Sequence, residues 1–455
     1  MRKNKNIKIM LISFHDTEEK DDCKYSLASL RLAAYIQNNQ DINITIFPFD
    51  IGNMDESKKS FIEKVNGDSY DLVGISAYIW TWEIAKQLSL NIKRKNNISI
   101  LVGGPEVLNR KKNDWMGDEI FVYGEGEEFL NEICKMKLDL LSSQQILARK
   151  KIGNAVFNDD YYTVLSKEAL VYKNPAFTSD FFEKLHLDFR KSEYVYYETT
   201  RGCPYNCGYC GHKTRSKTAS YDDLFIQREI QYIGKQKIKK VFIIDPILGG
   251  TPKRGKFILE NFMKYSPETR IIAYLRPEYI DDEYLKILNC SNIEELRIGI
   301  QTLNKDVPQW IRSNSIYHIK NLLPQLNKMG IGWRAELIIG LPGDTMQGLQ
   351  NSIKFMIDEI HPSYIYAYHL TVLKETRLYD LVNSKDEWIK VDPRNSKVSE
   401  CYSYSKKTLG EMLCFSNRIT SLYNSYTYIN GKKTYNESGG YDELIKEIEM
   451  EKKYI

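Results

Sequence analysis

Short runs of aliphatic and β-branched residues alternate with longer amphipathic stretches through most of the chain, in two successive series. In the first, Ile7–Phe14, Ile42–Phe49, Leu72–Ala77 and Ile98–Val102 read as strands, with Phe121–Tyr123 as a fifth. Tyr25–Gln37 and Thr81–Arg94 carry apolar residues at helical spacing between them. Strand and helix in alternation predict an α/β domain with a parallel sheet over residues 1–135. The pattern then lapses. Residues 136–190 are polar, with Asp159-Asp-Tyr-Tyr162 and Asn174-Pro175 as turn or extended signals, and read as a connector that wraps one domain onto the next.

The alternation restarts at Tyr194. Tyr194–Thr200, Lys240–Asp245, Arg270–Leu275, Glu295–Ile300, Glu336–Gly340 and Tyr364–Leu370 are the strands of the second series. Asp222–Lys235, Glu278–Leu288, Ile316–Met329 and Thr345–Glu359 are helices among its connections. Six parallel strands with helices outside make a partial (β/α)6 barrel over 191–385, and 386–455 is left as a small C-terminal region rich in tyrosine.

In both architectures ligands collect at the carboxyl ends of the strands. In the first series those ends are Ser76-Ala-Tyr78, Gly103-Gly-Pro-Glu106 and Gly124-Glu-Gly-Glu127. Glycine there lets a ligand approach the backbone, and Glu127-Glu128 suits the start of a helix. Any one of these glycines alone is an ordinary turn.

The first strand of the second series runs into Glu198-Thr-Thr-Arg-Gly-Cys-Pro-Tyr-Asn-Cys-Gly-Tyr-Cys-Gly-His212. Cys203, Cys207 and Cys210 put three thiolates within eight residues, with no fourth cysteine nearby. Three thiolates can hold a [4Fe–4S] cubane with one iron open to a small molecule, whereas an electron-transfer cluster closes all four positions. Structural zinc is the second reading, with His212 as the close candidate for a fourth ligand. A disulfide is the third, against which stand eight cysteines in 455 residues and no visible signal peptide.

Cys-x3-Cys-x2-Cys with an aromatic residue, Tyr209, before the last cysteine resembles the signature of radical S-adenosylmethionine (SAM) enzymes. The resemblance implies that the open iron chelates SAM and that an electron from the cluster cleaves it to methionine and a 5′-deoxyadenosyl radical. Further strand ends resemble that family in order. Asp245-Pro-Ile-Leu-Gly-Gly250 stands where the methionine part of SAM would lie. Arg276-Pro277, Gln301-Thr302 and Gly340-Leu-Pro-Gly-Asp344, with Pro342, stand near its carboxylate, ribose and adenine. His369-Leu-Thr-Val-Leu-Lys-Glu-Thr-Arg-Leu378 resembles the closing strand and loop, with Lys374-Glu375 in place of Pro-Gly. His212, Glu336 and His369 are further polar groups that could face the reaction chamber.

The first series resembles the Rossmann-like cobalamin-binding domain that precedes the barrel in one large subclass. There a serine after the third strand and Gly-Gly after the fourth flank the nucleotide tail of cobalamin. Ser76, Gly103 and Gly104 match those positions, with Tyr78, Gly124, Glu125 and Gly126 at the neighbouring ends. The Asp-x-His-x-x-Gly motif that supplies histidine to cobalt elsewhere is absent, since the first strand runs into Phe14-His-Asp-Thr-Glu-Glu19. Cobalamin without a histidine ligand is implied, or a domain that has kept the fold and lost the cofactor.

Composition narrows the field further. A net charge of +4 with both signs interspersed gives no reason to expect nucleic-acid binding. No apolar segment reaches the roughly 20 residues of a membrane-spanning helix, and the chain reads as cytoplasmic. The resemblance implies a cobalamin-dependent radical SAM methyltransferase acting on an unactivated carbon of a small-molecule or peptide intermediate. One SAM would methylate cob(I)alamin, a second would supply the radical, and flavodoxin or ferredoxin would supply electrons. The alternatives are a radical cyclisation, rearrangement or oxidation without methyl transfer, and a cofactor-binding sensor without turnover.

Overall fold

In the computed structural model, β1 (Ile7–His15) pairs in parallel with β2 (Ile42–Asp50) on one side and β3 (Leu72–Ser76) on the other. β4 (Ser99–Gly103) and β5 (Ile120–Tyr123) continue the parallel order beyond β3. The structure describes residues 6–16, 24–37, 41–93, 98–108, 115, 119–136, 143–153, 155–157, 162–164, 185, 187, 194–213, 218–384, 388–426 and 440–451. The middle strands are apolar almost throughout because helices cover both faces, as parallel sheets require. On one face Phe49, Phe61, Val73, Ile75, Trp82, Leu88, Ile100 and Val102 form a single core.

The sheet does not stop where the alternation lapses. β6 (Lys151–Ile152), β7 (Ala155–Phe157) and β8 (Tyr162–Val164) extend it, giving the order β2-β1-β3-β4-β5-β8-β7-β6. Part of the expected connector is therefore sheet. Strands of two or three residues are too short to show a period, so the sequence pattern hides them. The turn signals at Asp159 and at Asn174-Pro175 lie outside the described residues.

The second series forms a six-stranded sheet in the order β16-β15-β14-β13-β12-β9. Its members are β9 (Val195–Tyr197), β12 (Lys240–Ile243), β13 (Arg270–Leu275), β14 (Ile293–Gln301), β15 (Gly332–Ile339) and β16 (Tyr364–His369). β13 to β16 are parallel. The two-residue strands β10 (Thr200–Arg201) and β11 (Ala219–Ser220) pair antiparallel across the base of the segment that carries the three cysteines. β17 (Ile389–Val391) and β18 (Val398–Cys401) form an antiparallel pair in the C-terminal region.

The connecting helices follow from their caps. Thr251 and Asp281 accept from the first turns of Pro252–Tyr265 and Asp282–Cys290 through their side chains. Expected as one helix, Ile316–Met329 is broken at Leu322 into Ile316–Asn321 and Leu323–Lys328, because Pro324 cannot continue the backbone ladder. The C-terminal helix Lys406–Tyr426 protects the outer edge of β16: Asn424 accepts from Ile365 N and donates to Ile365 O, both at 2.9 Å.

The chain divides into two compact units, residues 1–198 with 221–242, and residues 199–220 with 243–455. In the first, Arg31 of helix Leu27–Ile36 is buried and bidentate on Glu229 of helix Asp223–Lys235, at 2.7 and 3.2 Å. Its guanidinium lies 4.7 Å over the Tyr221 ring. Among the described residues no helix is long and apolar enough to cross a membrane.

Candidate functional site

The cysteine loop is pinned from outside itself. Gly208 N–H donates to the carbonyls of Trp310 and Ile311 at 3.1 and 3.2 Å, and Gly208 O accepts from Leu378 N at 2.9 Å. A Cβ on Gly208 would stand 2.4 Å from the Trp310 ring, so the glycine of Cys207-Gly-Tyr-Cys210 makes room for the indole. The loop closes with Cys210 N–H on Cys207 O at 3.1 Å.

Two arginines converge on the Cys207 thiol, Arg276 Nη1 at 3.9 Å and Arg312 Nη1 at 3.6 Å. Arg312 is held by Asn314 at 2.9 Å and by the Gly299 carbonyl, and Asn314 donates in turn to Ile300 O and Thr302 O. Arg276 stacks 3.7 Å over Tyr205. Its Nε donates to Glu278 at 2.9 Å and its Nη2 to Ser313 O at 2.7 Å. Burial pushes Glu278 towards its neutral form, but the hydrogen bond and charge of Arg276 prevail and hold the carboxyl below its ordinary range. The fork expected to take the SAM carboxylate is thus mostly spent within the protein, and the arm that remains points at a thiol.

Burial is also the first influence on the cysteines, pushing the Cys203 thiol up and the Cys210 thiol up to about 11. Burial likewise raises the Tyr209 hydroxyl. Thiols so placed need cations or a metal to ionise, and the arginines supply the first. Three thiols in one short loop, with no fourth cysteine beside them, are the donor set of a cubane that leaves one iron open.

Asp245 takes its partners from within the protein. It is fully buried, and its carboxylate accepts from Thr199 N at 2.7 Å, Thr200 N at 3.1 Å, Gly249 N at 3.0 Å and the Thr199 hydroxyl. With these donors it orients the strand end before the cysteines and the turn at Gly249, and presents no open oxygen to a ligand. Gln301 lies at φ 67°, a backbone region unusual for anything but glycine. A Cβ on Gly299 would stand 2.3 Å from the Gln301 amide nitrogen, so Gly299 leaves the space that amide fills.

Gly340, at φ 93°, accepts from the Tyr404 hydroxyl, and Gly343 N donates to Ser403 at 3.1 Å. C-terminal residues therefore brace the turn that contains Pro342. Tyr404 and Tyr423 are braces of the fold, the latter donating to Pro362 O at 2.5 Å. His369 Nε2 is committed to Val398 O at 2.7 Å, and His212 lies in the single turn Gly211–Lys213.

In the first unit the parallel register sets Ser76 beside Gly103. Thr81 shapes the loop between them and the next helix, accepting from Tyr78 N at 2.9 Å and donating to Ser76 O at 3.2 Å. Tyr78 stacks on Trp80 at 5.0 Å, and Ile79 and Trp80 are 50% and 64% exposed. The two glycines of the pair differ. A Cβ on Gly104 would stand 2.5 Å from Ala77 O, and φ is +106°, so that glycine serves the turn itself. A Cβ on Gly103 would meet Val122 O at an ordinary 3.8 Å, which leaves its outer side open. Gly124 takes φ 101°, and Glu125 precedes the helix Gly126–Lys135 as its N-cap residue.

Residues 197–356 match the radical SAM superfamily. That stretch of the chain is a radical SAM domain. A [4Fe–4S] cluster and SAM are the cofactors of that superfamily. Over 338 residues the chain is 22% identical to the cobalamin-dependent radical SAM methyltransferase TokK of Streptomyces tokunonensis, covering 68% of this chain and 48% of that one. It spans about half the length of the curated relatives it matches. Among solved structures, TsrM of Kitasatospora setae, a radical SAM methyltransferase with cobalamin and [4Fe–4S] cluster bound, superposes with a TM-score of 0.67 at 13% identity over 85% of this chain and 81% of that one. The cobalamin-dependent SAM radical enzyme OxsB superposes at 0.70 and 15% identity, over 99% of this chain and 71% of that one. At these identities the likeness shows a shared fold.

Sequence reasoning missed Arg312 and Trp310. Both stand in the loop Gln309-Trp-Ile-Arg-Ser-Asn314, remote in sequence from the cysteines they serve. The signal was a buried-type indole and a cation in an otherwise polar loop after a strand end.

Proposed function

We propose that this protein is a cobalamin-dependent radical SAM methyltransferase that methylates an unactivated carbon of a small-molecule or peptide biosynthetic intermediate. The observation that carries the reading is the cysteine loop: three thiols at the carboxyl end of β9, spaced for a cubane, with Arg276 and Arg312 on Cys207. When bound, the cluster with SAM supplies a carbon-centred radical and cobalamin supplies a transferable methyl group. The chain's part is positioning. Asp245 fixes the strand end that leads into the loop, Trp310 and Leu378 fix its middle, and the two arginines offset the negative charge of the thiolates.

For cobalamin, support comes from the open side of Gly103, its register partner Ser76, and the exposed Ile79 and Trp80 at the same strand end. An exposed apolar pair beside an open glycine suits the apolar face of a large ligand. A low-potential protein such as flavodoxin or ferredoxin is the electron donor in this reading.

The test is anaerobic incubation of reconstituted protein with extracts of the producing cell and SAM labelled in its methyl group. A labelled product is expected. Release of 5′-deoxyadenosine with an unlabelled product would move the function to radical cyclisation, rearrangement or oxidation, and no cleavage of SAM at all would overturn the catalytic reading.

A further inference from the structure

The inner face of the six-stranded sheet carries a second set of charged groups. Burial divides β14 and β15 cleanly: Leu296, Ile298, Trp333, Ala335 and Leu337 are buried on the helix side, and Glu295, Arg297, Arg334 and Glu336 alternate with them on the other. The parallel register sets Arg297 directly beside Arg334, and Glu336 beside Tyr366.

The two arginines are not equivalent. Arg297 donates through Nε to Glu295 at 2.9 Å. The Arg334 side chain is 13% exposed, yet its buried Nε makes no hydrogen bond among the described residues. Glu336 and Glu295 lie 3.3 and 3.6 Å from that nitrogen, within ion-pair range but without hydrogen-bond geometry. The guanidinium rests instead 4.9 Å over the ring of Tyr366. A guanidinium offers five donors in a planar fork, and leaving a buried one without an acceptor is costly unless something else supplies it.

The surroundings say what that acceptor is. A planar fork braced on an aromatic ring, with a second guanidinium alongside, matches the two oxygens of a carboxylate or phosphate group. Next to it Tyr366 and Tyr368 are 38% and 46% exposed, with rings 12° from parallel, and offer an aromatic wall. Burial pushes the Glu336 carboxyl above its ordinary range, against the pull of Arg334 and Arg297.

We propose that Arg334, with Arg297 beside it, binds an oxyanion of the substrate, a carboxylate or phosphate group, and that the body of the substrate lies on Tyr366 and Tyr368. The assignment rests on the inner face being the reaction chamber of the methyltransferase described above. Its test does not use turnover, so the two can fail separately.

Anaerobically reconstituted protein is titrated with four probes of similar size: benzoate, phenyl phosphate, benzyl alcohol and benzylamine. At least one of the two anions binds about tenfold or more tightly than the alcohol, and the stronger one identifies the group. Arg334→Gln removes that preference while SAM binding by the same protein is unchanged, and Arg334→Lys, which keeps charge without the fork, retains only part of it. Tyr366→Ala weakens the aromatic probes alike and leaves their order intact, which keeps the proposal testable should Arg334→Gln fail to fold. Equal binding of all four probes, preference for benzylamine, or an anion preference that survives Arg334→Gln overturns the proposal. Loss of SAM cleavage with the anion preference intact would instead overturn the catalytic reading alone.

Discussion

At the scale of single residues, the cysteines set what can bind and their neighbours set how well. Arg312 donates to Cys207 from 3.6 Å, and hydrogen bonds to cluster sulfurs favour the reduced state. Arg312→Gln should therefore move the cluster midpoint to more negative potential, on the order of 50 mV, since about 1.4 kcal/mol corresponds to 59 mV for one electron. A redox titration followed by electron paramagnetic resonance reads this directly. An unchanged midpoint would mean that the arginine shapes the loop without tuning its charge.

Glu375 makes a residue-scale case of the opposite kind. It stands where glycine is usual in the resembling family, and it adopts φ 61°. The turn is thus kept although the residue best suited to it is not, at a cost of roughly 1–2 kcal/mol. Glu375→Gly should raise stability by about 0.5–1 kcal/mol after the extra entropy of glycine is deducted. Denaturant unfolding would show it as a higher midpoint with the slope unchanged.

At the scale of elements, the turn after β15 and the ends of β3 and β4 are the parts most open to test. Burial pushes the Asp344 carboxyl up to about 6, against hydrogen bonds from Asn304 and from Thr345 N. The folded state therefore holds a proton that the unfolded chain releases near the ordinary carboxylate range. Stability contributed by this group is complete at about pH 4 and is lost as pH rises to about 6, a total of roughly 2–3 kcal/mol at most. Asp344→Asn keeps the acceptor oxygen and should flatten that slope in unfolding measured between those pH values.

The two glycines after β4 call for different substitutions. Gly103→Val should leave the fold and the cluster intact and lower cobalamin binding by tenfold or more, read as the cofactor retained on gel filtration. Gly104→Val should lower the unfolding midpoint even without cofactor, because Ala77 already occupies the space. Retention of cobalamin in Gly103→Val would remove that strand end from the site.

The longer strands of the first sheet could be read from the sequence because burial on both faces leaves few polar positions to blur them. The three short strands β6 to β8 could not, since their pairing comes from the sheet edge they join. Cys203, Cys207 and Cys210 were legible because metal ligation fixes residue type and spacing together. Asp245 is legible as a strand-end carboxylate, but the backbone and hydroxyl donors that surround it are not, since they come together only in the fold. Arg312 and the unsatisfied Nε of Arg334 were invisible because their meaning lies in what does or does not reach them across the fold.

At the scale of the whole molecule, Arg31 and Glu229 are 198 residues apart and form a buried bidentate pair in one unit. Removing one partner of such a pair leaves a charge without compensation and costs about 3–5 kcal/mol. Arg31→Ala should therefore destabilise the protein by that order in denaturant unfolding. Adding Glu229→Ala should cost less than the sum of the two single changes, because the stranded charge is gone. Additive losses would mean that each side chain matters through its other neighbours alone.

The same pair carries a consequence for how the protein is made. Residues 199–220, with all three cluster cysteines, leave the first unit and return to it at Tyr221. On a ribosome that adds about 5–20 residues per second, the first 198 residues emerge seconds before Glu229 does. Until then Arg31 lacks the Glu229 carboxylate that holds it in the folded unit. When the pair closes, the cysteines have already been synthesised, held in a segment whose two ends that unit has just tied down. Iron–sulfur assembly would then meet a tethered loop in place of a free chain, so a nascent chain arrested after residue 198 should stay protease-sensitive in its first unit, and one arrested well beyond residue 242 should not.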